Sequence, residues 1–205
     1  MKLFIIILLC LALSGLSAQE VNAQEFDGHK WEAPYHLSIP QGFTVERFLI
    51  PISFAPSIIY KGVEDIRFTP DWANAKSDEY WTYAFLWWLD GSPNLDAAII
   101  ETNLKAYYAG LAEANNVPTE KRIAVKTSFK ETKTAKGDLK TFSGTIEMLD
   151  YMTQKPLTLN AVVHLRRCTE ENKTVVFYQL SPKPIEHNIW TSLDKIWQDF
   201  KCKKL

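Results

Sequence analysis

Acid-base catalysis needs an imidazole or carboxyl group placed within hydrogen-bond reach of the reacting atoms. This chain offers four histidines for that work: His29, His36, His164 and His187. His164 is the best placed of them. It lies in the run Leu157 to Arg167, where alternation sets Thr158, Asn160, Val162, His164 and Arg166 opposite the apolar Leu157, Leu159, Ala161, Val163 and Leu165. In the run before it, Thr141, Ser143, Thr145, Glu147 and Tyr151 alternate with Phe142, Ile146 and Met148. A sheet face carrying His164, Arg166, Asn160 and Glu147 can floor a pocket, with His164 and Glu147 as an acid-base pair. The same pattern also describes the solvated side of a half-buried sheet.

Other chemistries find less support. In Gly62-Val63-Glu64-Asp65-Ile66-Arg67-Phe68 the neighbouring acids Glu64 and Asp65 point to opposite faces of a strand and cannot converge on one substrate. Asp65 and Arg67 share a face, which suits a structural ion pair. The histidine and cysteine spacings match no zinc pattern, no tight calcium loop occurs, and the 8 glycines form no phosphate cradle. No Gly-x-Ser-x-Gly nucleophile turn is present either. Neither a metal site nor a cofactor is expected.

Seven tryptophans raise the idea of ring stacking on a sugar or another flat ligand. Trp81, Trp87 and Trp88 fall in a doubly apolar strand pattern, and Trp190 and Trp197 fall on an apolar helix stripe, so these five read as core. Trp31 and Trp72 remain. Trp72, in Pro70-Asp71-Trp72-Ala73-Asn74, is the candidate ligand-contacting ring, the alternative being that it folds back as a lid on the core. Cys168 and Cys202 either pair as a disulfide in an oxidising compartment or stay as two unrelated thiols. Asn172-Lys173-Thr174 fits a glycosylation acceptor, relevant to a eukaryotic secretory route.

The elements that must position these residues are legible from periodicity. Residues 24–62 carry Pro34, Pro40, Pro51 and Pro56 among many apolar residues, which predicts an extended arm laid over the domain with a short strand at Thr44 to Leu49. Val63 to Phe68 reads as a strand. Tyr80 to Leu89 is apolar on both faces and should be a central strand covered on both sides. Ser92 as cap and Pro93 at the first turn predict a helix over 93–114, with Leu95, Ile99, Thr102, Ala106 and Ala109 along its inner stripe, broadened by Ala98 and Tyr107. Four further strands follow as an antiparallel meander: Ile123 to Glu131, Leu139 to Tyr151, Leu157 to Arg167 and Thr174 to Leu180. A last helix over 186–201 carries Ile189, Trp190, Leu193, Ile196, Trp197 and Phe200 on one stripe. The expectation is an α+β fold: one largely antiparallel twisted sheet of six or seven strands, two principal helices and a proline-rich N-terminal arm.

Met1-Lys2 followed by an apolar run from Leu3 to Leu13 has the form of a secretory leader, with cleavage after Ala18 or, preferably, Ala23. Residues 24–205 then form one domain, secreted or periplasmic. The apolar run is too short for a retained membrane span, and too little of it precedes Cys10 for a lipoprotein signal. A formal net charge of −1 argues against a nucleic-acid partner.

The segments Pro34-Tyr35-His36-Leu37-Ser38-Ile39-Pro40, Val45-Glu46-Arg47-Phe48, Ser53-Phe54-Ala55-Pro56 and Gly62 to Phe68 resemble exported bacterial proteins of unknown function, a likeness that implies no active site. The helix followed by a four-strand meander resembles the cystatin and nuclear-transport-factor architecture, which implies a curved sheet wrapped on a helix, often with a pocket. The function expected is an exported non-enzymatic binding or accessory domain that holds a small ligand or a protein partner. The alternatives are a small hydrolase or isomerase built on His164 and Glu147, and a carbohydrate-binding module built on Trp72.

Overall fold

Both faces of the tryptophan-rich run are apolar, and in the computed structural model of the protein it forms the middle of a sheet. Residues 26–203 are described; the leader, its cleavage points and Cys10 lie outside them. The strands are β1 (Thr44–Ile50), β2 (Gly62–Phe68), β3 (Tyr83–Asp90), β4 (Lys126–Glu131), β5 (Lys140–Asp150), β6 (Lys155–Cys168) and β7 (Lys173–Ser181). They make one seven-stranded sheet in the order β1-β2-β3-β7-β6-β5-β4, antiparallel at every pairing. The two helices are α1 (Ala97–Ala114) and α2 (Ile189–Asp199). The fold class is α+β. After β3 the chain runs through α1 to the far edge of the sheet, then meanders back until β7 pairs with β3.

Alternation in β3 divides the core into two layers. Tyr83, Phe85, Trp87 and Leu89 pack under α1 with Tyr178, Val176, Leu159, Val163, Phe142 and Ile146. Ala84, Leu86 and Trp88 face α2, with Phe177, Trp190, Leu193, Ile196, Trp197 and the arm residues Tyr35 and Leu37. A buried Leu- or Phe-sized side chain contributes roughly 1.5–3 kcal/mol, so both layers add substantially to stability. The arm is held by backbone pairing of His36 with Lys201. Beyond β1, Ile52, Ala55 and Ile58 plug the α1 layer.

Three details differ from the sequence reading. Helix α1 begins four residues later than predicted, because Asp96 rather than Ser92 caps it: its carboxylate accepts the Ile99 N–H at 2.9 Å. Its buried face is Ile100, Asn103, Leu104, Tyr107, Tyr108 and Ala112, while Thr102 and Ala109 are exposed. Alanines on several sides left the phase ambiguous, and the two tyrosines decided it by the area they bury. Trp81 is not part of β3; its φ of 53° puts a bulky residue in the left-handed region and turns the chain just before the strand.

Cys168 and Cys202 form a disulfide with Cα atoms 5.5 Å apart, joining the end of β6 to the chain just past α2. No helix among the described residues is long and apolar enough to cross a membrane.

Candidate functional site

Where β1, β2 and β3 meet the C-terminal half of α1, aromatic side chains enclose a cavity of about 350 Å³. β1 contributes Glu46 and Phe48, β2 contributes Ile66 and Phe68, and α1 contributes Tyr107, Leu111 and Asn115. Trp72, Trp81, Tyr83, Phe54 and Tyr151 complete the lining. Trp72 lies with its ring stacked on Phe68 at 4.3 Å and edge-on to Trp81 at 6.5 Å. The candidate ring therefore lines a cavity with one face covered by Phe68, half-buried rather than free in solvent.

The loop holding Trp72 is tied at several points. Trp81 N–H donates to the Trp72 carbonyl at 2.8 Å, and the Thr69 hydroxyl donates to the Thr82 carbonyl at 2.8 Å. Asp71 N–H donates to Glu79 at 2.8 Å. Such a loop presents its tryptophan at low entropic cost on binding. Trp81 is held in its left-handed conformation by its indole N–H, which donates to Asp150 at 3.0 Å. Backbone strain of this kind is sustained where surrounding contacts over-determine it.

One carboxyl group lines the cavity and two more stand behind its walls, bonded to Trp81 and Tyr107. Glu46 is exposed at the rim, with no ion-pair partner among the described residues. Asp150 is buried and accepts from the Tyr80 hydroxyl at 2.6 Å, from Trp81, from the Met152 N–H at 2.9 Å and from Thr153. Burial alone would raise its pKa, but these donors outweigh it and hold the carboxyl below its ordinary range. Glu64 sits deeper, fully enclosed in the α1 layer, where the Tyr107 hydroxyl donates at 2.8 Å and the Trp87 indole at 2.9 Å. Burial pushes its pKa up to about 8 despite those two bonds.

On the opposite face of the sheet the sequence-predicted polar residues separate. His164 is buried beneath α2, its ring tilted against Trp197 at 5.2 Å. Its Nδ1 meets Asp138 at 2.7 Å, and its Nε2 meets the Gln179 side-chain oxygen at 3.1 Å. Gln179 in turn donates to Asp194 at 3.0 Å. Asp138 also accepts from Arg166 at 3.1 Å, from Thr141 at 2.9 Å and from the Trp197 indole at 3.1 Å. Arg166 stacks over the Trp197 ring at 4.1 Å. This cluster locks the 136–138 turn and α2 onto the sheet.

Glu147 is exposed and pairs with Lys126 at 3.4 Å. The register sets Thr141 opposite His164 and Glu147 opposite Thr158, so Glu147 and His164 stand six residues apart along the strands, roughly 20 Å. The structure does not bring this acid-base pair together. Asn160 is tied to the backbone, donating to the Lys183 carbonyl at 3.1 Å, and lies across the sheet from Trp72. Asp65 and Arg67 do pair, on the arm side, where Arg47 at 2.9 Å and the Tyr35 hydroxyl at 3.0 Å complete a buried cluster.

Sequence reasoning passed over Asp150, Asp138 and the cavity role of Trp81. Asp138 falls between the strands predicted at Ile123 to Glu131 and Leu139 to Tyr151, a connecting position that carries no chemical signal, and Trp81 read as a strand residue. Glu64 left a signal: it alternates with Ile66 and Phe68, which places a carboxyl on the greasy face of β2.

No protein-family model matches the chain, and no curated protein matches it. Among solved structures, the Saccharomyces cerevisiae Ran-binding protein Mog1p is similar at 13% identity, over 78% of this chain and 96% of that one, with a TM-score of 0.33.

Proposed function

We propose that this protein is an exported, non-enzymatic binding domain that holds a small ligand with an apolar body in the aromatic cavity. The observation that carries the reading is the cavity itself: about 350 Å³, within the range of small-molecule sites, lined mainly by rings with a few polar groups to orient the guest. Trp72 and Trp81 supply flat faces on a hydrogen-bonded loop, so a ligand gains stacking without ordering a mobile segment. Export is supported by the leader pattern at residues 1–23 and is consistent with the Cys168–Cys202 disulfide.

Titration of the mature protein with the neutral fluorophore N-phenyl-1-naphthylamine tests this reading. Saturable enhancement at micromolar concentration is expected, weakened about tenfold by Trp72→Ala, as for an anchor ring worth over 1 kcal/mol. Leu111→Trp, which fills the cavity, should abolish it. Enhancement that ignores both substitutions, or none in the folded protein, removes the cavity as the site.

A further inference from the structure

We propose that the ligand of the aromatic cavity is an organic cation, an amine or quaternary ammonium group carried on an apolar body. The inference rests on the cavity being a ligand site and adds the charge of what fills it.

Several independent features set the sign. Glu46 is the charged residue among those lining the cavity, and its carboxylate stands at the rim without an ion-pair partner among the described residues. Helix α1 directs its C-terminal turn there through Leu111 and Asn115, and holds no basic residue in that turn itself, the nearby Arg122 being paired with Glu113 at 3.5 Å. The C-terminal end of a helix carries partial negative charge, so this end adds to the field of Glu46.

The walls act in the same direction. Tryptophan, tyrosine and phenylalanine faces attract cations through their ring quadrupoles, tryptophan most strongly. The Trp81 indole N–H donates to the Asp150 carboxylate at 3.0 Å. Donation to an anion moves electron density onto the donor's ring, which makes the Trp81 face a better seat for positive charge. An anionic guest would meet Glu46, the helix end and the ring faces together, all repulsive.

The test uses one apolar body with three end groups: 4-phenylbutylammonium, 4-phenylbutanol and 4-phenylbutyrate, titrated calorimetrically into the mature protein at neutral pH and low salt. The ammonium form should bind about tenfold more tightly than the alcohol, and the carboxylate more weakly than either. Glu46→Gln, at an exposed position, should weaken the ammonium about fivefold and leave the alcohol unchanged, while 0.5 M salt should erode the same difference. Equal affinity for all three, or tightest binding of the carboxylate, overturns the cation proposal and leaves the cavity standing as an apolar site. Binding of none of them, with the fluorophore also excluded, overturns the cavity as a site and the cation proposal together.

Discussion

Glu64 should make the protein lose stability as pH rises through neutrality, and a single substitution should remove most of that loss. The carboxyl is fully buried between Trp87 and Tyr107, and its pKa stands at about 8 against 4.5 for the ordinary group. Between those values the native state keeps a proton that the unfolded chain has released. Stability therefore falls with rising pH across that window, by up to about 1.4 kcal/mol per pH unit. The full cost, reached above pH 8, is about 5 kcal/mol, a large share of the 5–15 kcal/mol typical of a domain. Glu64→Gln keeps the shape, still accepts from the Trp87 indole and cannot ionise. Urea unfolding of both proteins at pH 5, 6, 7 and 8.5, with the disulfide intact, isolates the effect, since other titrating groups are common to both. The two should have similar stability at pH 5, and the variant should be several kcal/mol the more stable at pH 8.5. Parallel stability curves from pH 5 to 8.5 would refute the reasoning and mean that Glu64 is ionised in the native state at little cost.

Reduction of the Cys168–Cys202 bridge, which spans 34 residues, should cost about 3–4 kcal/mol by loss of the loop constraint on the unfolded chain; urea midpoints with and without reductant check it. Gly110→Ala should destabilise by about 1–3 kcal/mol, because a methyl there would meet the Phe54 carbonyl oxygen at 1.8 Å and push the 51–61 segment off α1; thermal melting reads the loss. Asp138→Ala should cost about 3–5 kcal/mol, since His164, Arg166 and the Trp197 indole all lose their acceptor, and near-ultraviolet circular dichroism should report a displaced Trp197. Glu147→Gln should change stability by less than about 1 kcal/mol, the exposed pair with Lys126 being its one ion pair among the described residues.

The architecture was legible where side chains are large and periodic. Alternation in β3, β5 and β6 showed which residues face which layer, and the bulky stripe of α2 set its phase. The reading of α1 slipped because alanines occur on several sides of it: it held Tyr107 inward but also placed Thr102 and Ala109 there, where Asn103, Leu104 and Tyr108 lie. Ser92 and Asp96 are both good caps by type; which one serves depends on where α1 can dock, a tertiary matter that four residues of local sequence do not contain.

The candidate site was harder to read, and the reason is geometric. Its walls come from β1, β2, β3, α1 and three connecting segments, brought together by strand pairings and helix docking rather than by spacing along the chain. Polar residues draw the eye in a sequence, yet His164, Arg166 and Asn160 turned out to be consumed by Asp138, Gln179 and backbone carbonyls. The cavity instead uses aromatic residues that look like ordinary core. Two features mark its wall: Trp81 in a left-handed conformation, and a buried carboxylate, Asp150, which accepts from that indole while also organising the turn after β5 through Met152 and Thr153. Together they hold the Trp81 ring rigidly at the wall of a 350 Å³ cavity, the kind of preorganised aromatic surface from which a ligand gains contact at low entropic cost.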